Sequence, residues 1–160
     1  QTRNRGTIGG AIASKTRSSD WNAALLALDA TIHTTKTSHM AEDYFSRGGL
    51  TAGELITKIC FEIPSKGIYL KQTRASSTDA LIGVLVSRLE KKCRVAIVGS
   101  QRVAFLCPAL EAALSAKFHQ DVYDHSHIPE GILADNADAS LEYQLNLVEV
   151  LCKRAISSCA

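Results

Sequence analysis

Apolar and polar positions alternate with a period of two over much of the chain's middle, which predicts β-strands. The strands predicted from this alternation and from apolar runs are, in chain order, Lys58–Ile63, Ile68–Gln72, Ala80–Leu89 and Arg94–Gly99. Pro64 ends the first pattern, because proline cannot donate to a strand ladder. Lys91 and Lys92 separate the last two strands, so we expect an antiparallel hairpin there.

Other stretches repeat at helical spacing. Ala23–Ala30 is a run of good helix formers, preceded by Asp20 as a candidate cap and followed by Thr31–His33 as the start of a strand. Pro108–Phe118 begins with a proline suited to a first helical turn. Ser140–Ile156 places an apolar stripe on one face, with Ser140 as a candidate cap. The stripe is typical of core packing.

These elements divide the chain into two regions. Residues 1–48 form the first, and the polar segment Thr34–Gly49 is predicted to be a linker or mobile loop at its end. Residues 49–160 are predicted to be a compact domain with a three- to four-stranded antiparallel sheet packed on helices. The fold class expected is therefore α+β, and no internal repeat is visible.

Composition excludes several function classes. The chain has 160 residues, 46% hydrophobic and 21% charged, with a formal net charge of +2. So small a charge does not favour nucleic acid as a partner. No apolar run approaches the ~18 residues of a transmembrane segment. The first residues lack a Met and a signal-peptide pattern, so we expect a start within a longer chain and no secretory signal.

The cysteine and histidine patterns favour no metal site. The cysteines are Cys60, Cys93, Cys107, Cys152 and Cys159. They form no C-x-x-C pair, so buried free thiols in a reducing compartment are expected rather than metal ligands or disulfides. His125 and His127 lie near Asp124 in a polar segment containing Pro129, where a surface loop is favoured over a metal site.

One short motif suggests ligand chemistry. Gly9 and Gly10 follow Thr7, and glycines let a backbone approach a ligand so that successive N–H groups hold a phosphate. A carboxylate at Asp20 would accept hydrogen bonds from the hydroxyls of a sugar or polyol. A glycine pair by itself is more often a plain turn. The motif fits neither the P-loop nor the dinucleotide G-x-G-x-x-G pattern.

The longer pattern is more specific. Arg3–Ala13 (RNRGTIGGAIA) followed by Ser19–Ala30 (SDWNAALLALDA) resembles the flavin subunits of the molybdenum hydroxylase family, which includes carbon monoxide, nicotinate and xanthine dehydrogenases. Further similar segments follow in the family's order: Gly53–Ile56, Tyr69–Arg74, Arg94–Gly99, Leu110–Leu114, Ser140–Tyr143 and Val150–Ala155. The resemblance covers nearly the whole chain and implies the C-terminal part of such a subunit. Residues 1–48 would be the end of its FAD-binding domain, and residues 49–160 would be a domain like the C-terminal one of the carbon monoxide dehydrogenase flavoprotein.

The resemblance implies an FAD site. In this family the T-I-G-G loop binds the FAD pyrophosphate, an aspartate lies by the flavin ribityl chain, and the G-E-L-I strand and a lysine approach from the C-terminal domain. The residues so implied are Thr7, Ile8, Gly9, Gly10, Ala11, Asp20, Ile56 and Lys71. No catalytic nucleophile or acid–base pair is visible, which fits an electron-transfer role.

The resemblance also implies a function. The protein is expected to be a cytoplasmic oxidoreductase subunit in which FAD receives electrons from iron–sulfur clusters and passes them to an acceptor. Its expected partners are a molybdopterin-binding large subunit and a small subunit with [2Fe-2S] clusters. The isolated chain is not expected to be active.

Several departures from the family pattern leave an alternative open. Ala11 stands where the family usually has Ser or Asn, and Gln144 follows Tyr143 where it usually has Arg. No A-G-G-x-x-L segment, the family's second phosphate loop, occurs in the chain. The alternative is a truncated, non-catalytic interaction module that binds no FAD on its own. A nucleotide-binding protein outside the family would require the ordered matches to be coincidence.

Overall fold

The structure is a computed structural model that describes residues 2–14, 16, 19–74, 79–90, 92–99 and 104–160. The first half contains α1 (Thr2–Arg5), α2 (Ile8–Ala13), α3 (Asp20–Ala27), β1 (Thr31–Thr34), β2 (Ser38–Met40), α4 (Ala41–Ser46) and β3 (Ile56–Cys60). The second half contains β4 (Lys66–Thr73), β5 (Ala80–Arg88), β6 (Cys93–Val98), β7 (Phe105–Leu106), α5 (Pro108–Ala116) and α6 (Leu141–Cys159). Two short 3₁₀ turns, Gln120–Val122 and His125–His127, lie between α5 and α6.

Within the described residues, the strands form two antiparallel sheets. The smaller sheet has the order β2-β1-β3 and the larger the order β4-β5-β6-β7. Together with the helices, they confirm the predicted α+β class. The predicted hairpin is also confirmed, because β5 and β6 pair antiparallel with Leu85 opposite Ala96. Leu89 N donates to Lys92 O in its turn (2.9 Å), and Lys91 lies outside the described residues.

The central strands of the larger sheet, β5 and β6, are buried on both faces. On one side Ile82, Val84 and Val86 of β5 pack with side chains of α5 and α6. On the other side Ala96 and Val98 of β6 pack with α3 and β1. Burial on both faces explains why β5 is apolar along nearly its whole length rather than alternating.

Helix α3 packs on β5 and β6 of the larger sheet and is deeply buried over residues 23–27. Ala23, Leu25, Leu26 and Ala27 are each 4% exposed or less. Deep burial of such a helix requires apolar residues on every side, which is why its sequence shows no single stripe. The hydroxyl of Ser87 in β5 donates to Ala27 O (2.5 Å) and fixes the helix end to the larger sheet.

The predicted linker over Thr34–Gly49 is wrong. This segment contains β2 and α4, and α4 buries Ala41 (2% exposed) and Tyr44 (1% exposed). Ala41 N donates to Ala30 O (2.8 Å), which joins the start of α4 to the residue just before β1. Two buried positions in so short a helix are too few to produce a readable periodicity.

The predicted strand at Lys58–Ile63 is wrong in its extent. Strand β3 runs from Ile56 to Cys60, and beyond it Phe61 is 52% and Ile63 88% exposed. Strand β3 pairs with β1, with Ile59 opposite Ile32, and so belongs to the smaller sheet. The division of the chain after residue 48 stays a prediction, and this pairing favours a later boundary.

The helix ends differ from those predicted. Helix α3 begins at Asp20 instead of Ala23, so Asp20 lies in the first turn and Ser19 precedes it. Helix α5 ends at Ala116, before the predicted Phe118, while α6 continues to Cys159. The predicted cap of α6 is confirmed, because Ser140 Oγ accepts from Tyr143 N (3.3 Å).

Candidate functional site

The glycine turn forms the start of α2. Thr7 precedes the helix, and its hydroxyl oxygen accepts a hydrogen bond from Gly10 N (3.0 Å). A side chain at Gly9 would meet no atom within 4 Å, so the surface over Gly9 is open. Ile8 is 36% exposed. The five residues predicted to bind pyrophosphate therefore form one accessible turn.

This turn offers backbone donors. The first N–H groups of a helix have no partner within the helix. The hydroxyl of Thr7 accepts from Gly10 N, and Ala11 N donates to Thr7 O (2.9 Å). Among the described contacts of this turn, Ile8 and Gly9 therefore keep N–H groups available to a ligand. Ala11 adds no polar side chain.

Asp20 and Lys71, which the resemblance assigns to the site from separate regions, lie in direct contact. Lys71 Nζ donates to Asp20 Oδ2 at 2.7 Å. Asp20 is the first residue of α3, and Lys71 lies on β4. The Asp20 side chain is 44% exposed and that of Lys71 28% exposed, so the pair is reachable from solvent.

Tyr69 completes this arrangement. Its hydroxyl donates to the other carboxylate oxygen, Asp20 Oδ1, at 2.6 Å. Tyr69 and Lys71 are two residues apart on β4, so both side chains leave the same face of the strand. Burial of the ring, and next the hydrogen bond to Asp20, raise the pKa of Tyr69 far above its ordinary value. Tyr69 thus remains a protonated donor at neutral pH.

Tyr69 was not among the residues predicted for the site. The signal was present, because Tyr69 begins the segment Tyr69–Arg74 that resembles the family and lies two residues before Lys71. We refer to Asp20, Tyr69 and Lys71 as the carboxylate cluster. Helix α2 packs against α3, so the glycine turn and the carboxylate cluster belong to neighbouring elements.

Ile56 lies elsewhere in the fold. It begins β3 opposite Thr34 of β1, is half-buried, and packs against the core around α3. Strand β3 also contacts α2. A contact of Ile56 with a cofactor stays a prediction.

Beside Ile56, the structure reveals a buried carboxylate at Glu54, which is only 5% exposed. Thr34 Oγ1 donates to Glu54 Oε1 (2.6 Å), and the backbone N–H and hydroxyl of Thr51 both donate to Oε2 (2.8 Å each). Arg47 pairs with the same oxygen at 3.3 Å. The hydrogen bond from Thr34, with those from Thr51, lowers the pKa of Glu54 to about 2. Glu54 therefore holds the loop before β3 against β1 as an anion.

A second charged group joins α3 to the larger sheet. Asp29, after α3, adopts a left-handed backbone (φ 47°) and pairs with Arg94 at 2.7 Å and with Lys92. Arg94 also pairs with Glu111 of α5 at 3.1 Å. The other oxygen of Glu111 accepts from Val95 N (2.9 Å). Burial raises the pKa of Glu111 despite these contacts.

The cysteines and histidines form no comparable site. All five cysteines are free thiols; Cys60 is half-buried and the others are buried. His125 and His127 lie in a 3₁₀ turn that Asp124 caps through Ser126 N (2.8 Å). Within the described ranges, no group of His, Cys, Asp or Glu is arranged for a metal ion. Among all the residues that the structure describes, no helix has the length and apolar character that a membrane span requires.

Comparison with known proteins finds a family model that matches the first part of the chain. Residues 1–66 match the family model described as the FAD binding domain in molybdopterin dehydrogenase. The resemblance to FAD-binding subunits of the molybdenum hydroxylase family is confirmed. The match contains the glycine turn and Asp20, while Lys71 and Tyr69 lie beyond it.

Solved structures agree over nearly the whole chain. Carbon monoxide dehydrogenase from Hydrogenophaga pseudoflava, in a form lacking the Mo-pyranopterin moiety of the molybdenum cofactor, is 25% identical over 99% of this chain, with a TM-score of 0.80. Quinoline 2-oxidoreductase from Pseudomonas putida 86 (22% identity over 98%, TM-score 0.79) and CO dehydrogenase from Oligotropha carboxidovorans (21% over 98%, 0.80) share the fold. The chain spans 61–62% of the length of these chains. A search of curated proteins gives no match.

Proposed function

We propose that this chain contributes one side of an FAD site and serves as the electron-transfer part of a molybdenum hydroxylase-type oxidoreductase. The observation that carries the proposal is the contact between Lys71 and Asp20 at 2.7 Å. The resemblance assigns both residues to the cofactor, and folding brings them together across 51 positions of sequence. Core packing does not require a solvent-accessible ion pair at that place.

The residues present fit an FAD. The open surface over Gly9 gives a phosphate room to approach, and the N–H groups of Ile8 and Gly9 would donate to it, as in other backbone phosphate sites. Thr7 holds the turn through Gly10 and adds an exposed side chain. Ala11 contributes only its backbone.

The carboxylate cluster would bind the ribityl chain. Asp20 accepts hydrogen bonds, so its exposed part suits the hydroxyls of a polyol. Lys71 places a positive charge beside it, which also favours the anionic pyrophosphate. When bound, the flavin supplies the redox chemistry, and the protein supplies binding and orientation.

The wider assignment follows from the family. We propose that the partners are a molybdopterin-binding large subunit and an iron–sulfur small subunit with [2Fe-2S] clusters, and that the complex is cytoplasmic. Electrons would reach FAD from the clusters and leave to an acceptor. The enzyme activity belongs to the complex, and the isolated chain is not expected to turn over.

Trp21 provides a direct test. It is the only tryptophan, is 46% exposed, and follows Asp20 in sequence. Bound FAD should quench its fluorescence in a saturable manner. Asp20→Asn should weaken FAD binding about tenfold or more, since hydrogen bonds to a charged group contribute about 1.5–3 kcal/mol. Asp121→Asn is the matched control, because the Asp121 side chain is 73% exposed and lies in a different turn.

A non-catalytic interaction module is the second candidate. It is favoured by Ala11, which gives the phosphate no side-chain donor, and by the core around α5 and α6, which the candidate site does not enter. In this case FAD would produce neither saturable quenching of Trp21 nor a rise in the unfolding temperature. That result with the folded protein would reject FAD binding by this chain.

A further inference from the structure

Gly83 occupies a position where a side chain would displace its neighbours. It lies in β5, opposite Lys71 of β4 on one side and Val98 of β6 on the other. A Cβ atom there would overlap the Tyr69 hydroxyl oxygen and would lie 3.0 Å from Tyr69 Cζ and 2.8 Å from Val98 Cγ1. Such distances are well inside van der Waals contact. The end of the Tyr69 ring therefore fills the space that a side chain at Gly83 would need.

This close approach determines where the Tyr69 hydroxyl lies. In the register of β4 and β5, Tyr69 is opposite Leu85, while Lys71 is opposite Gly83. The Tyr69 ring leans along the strands, across Gly83 and toward the start of α3. Its hydroxyl then reaches Asp20 Oδ1 at 2.6 Å.

The consequence for Asp20 is a fixed orientation. One carboxylate oxygen accepts from Tyr69 and the other from Lys71, so neither can rotate away without breaking a charge-assisted bond. The Asp20 side chain nevertheless remains 44% exposed. A carboxylate that is held in place before binding loses less conformational entropy when a ligand arrives.

We propose that Gly83 is a positioning residue of the cofactor site, acting through Tyr69 to orient Asp20 toward a polyol ligand. The inference rests on the proposed function in one respect, that the ligand of Asp20 is the flavin ribityl chain. The arrangement of Gly83, Tyr69 and Asp20 itself can be tested without FAD.

The first experiment separates Tyr69 from Val98, the other neighbour of Gly83. Val98→Ala removes the clash between Val98 and a side chain at position 83. The variant with both Val98→Ala and Gly83→Ala is therefore compared with the variant that carries Val98→Ala alone. We expect about tenfold weaker FAD binding from Gly83→Ala, the usual loss for one hydrogen bond to a charged group. With Tyr69→Phe also present, Gly83→Ala should cause little further loss, because the hydroxyl is already gone. If Gly83→Ala weakens FAD binding equally with Tyr69 and with Tyr69→Phe, the proposal is overturned.

The second experiment follows the Tyr69 hydroxyl in the FAD-free protein. Fluorotyrosine is incorporated, the ¹⁹F signal of Tyr69 is assigned by its absence in Tyr69→Phe, and the pH dependence of that signal is recorded. In the Val98→Ala background, Gly83→Ala should lower the pKa of Tyr69 toward the ordinary value of a tyrosine side chain, because the hydroxyl loses its hydrogen bond to Asp20. An unchanged titration overturns the positioning role even if FAD binds. A changed titration in a protein that binds no FAD supports the positioning role and rejects the proposed function.

Folding of the variant provides a further check. If the variant with Gly83→Ala and Val98→Ala does not unfold cooperatively, Tyr69→Leu is added, which replaces the clashing ring with a shorter side chain. Recovery of cooperative unfolding supports the contact between Gly83 and Tyr69. Failure to recover would show that Gly83 acts through other neighbours and would overturn the proposal.

Discussion

Lys71 Nζ lies 2.7 Å from Asp20 Oδ2, and this ion pair ties β4 to the first residue of α3. Tyr69 holds the opposite oxygen, so two donors from one strand face fix a carboxylate from another element. A purely structural ion pair at such exposure contributes little to stability. The effect of removing it should therefore appear mainly in ligand binding.

Lys71→Met tests this separation. Because both side chains are partly exposed, we expect the free energy of unfolding to fall by less than about 1 kcal/mol. FAD affinity should fall about tenfold, since the anionic pyrophosphate loses a neighbouring cation and Asp20 loses one anchor. Trp21 quenching and urea denaturation measure the two effects. Lys58→Met, at an exposed position on β3, serves as the control and should change neither.

Gly9→Ala should separate binding from folding in the same way. A methyl group at Gly9 meets nothing within 4 Å, so the fold accepts it. Alanine in place of a helical glycine should add about 0.5–1 kcal/mol of stability. The methyl nevertheless stands on the open surface where a phosphate would approach, so FAD affinity should fall about tenfold, roughly 1.4 kcal/mol. Unchanged FAD affinity would place the phosphate elsewhere.

Glu54 should make stability depend on acidic pH. Its pKa is lowered to about 2 in the folded protein, below the ordinary value of 4.5. The unfolded chain therefore binds a proton first, so the stabilisation is complete above pH 4.5 and is lost as pH falls toward 2. Urea denaturation of Glu54→Gln should show lower stability at pH 7 and a difference from the native protein that shrinks with acid. Glu42→Gln, exposed on α4, should follow the native curve.

Arg94→Met should be the most destabilising of these substitutions. It leaves Glu111, whose side chain is 10% exposed, without its cation, and Asp29 with only Lys92. Breaking such a pair from one side costs about 3 kcal/mol. Adding Glu111→Gln to Arg94→Met should recover part of that loss. Simple additivity of the two substitutions in urea denaturation would contradict coupling through this pair.

The second half of the fold was largely predictable from sequence. Strands β5 and β6 and helix α6 are long enough to show their apolar character, and short connections constrain their pairing. The first half was predicted less completely. Helix α3 and the start of β1 were expected from sequence, but α4, which buries only Ala41 and Tyr44, was interpreted as part of a linker. The alternation through Phe61 and Ile63 is present in the sequence, but their exposure depends on what surrounds the chain after β3.

The candidate site was likewise only partly predictable from the sequence. The glycine turn is local, so its five residues could be located as one unit from sequence. The contact of Asp20 with Lys71 joins positions 51 residues apart, and only the resemblance suggested that they share a site. Gly83 gives no sequence signal, because its role depends on the ring of Tyr69 passing over it. Their roles toward a cofactor stay predictions.

The burial of the larger sheet on both faces has a consequence for cutting the chain. Residues of β5 and β6 bury the apolar side of α3. These strands lie beyond residue 66, where the family match ends. A fragment ending there would expose the inner side of α3 to water and should neither fold nor remain monomeric. We therefore expect the cooperative folding unit to extend beyond residue 66, because α3, which begins at Asp20, packs against β5 and β6.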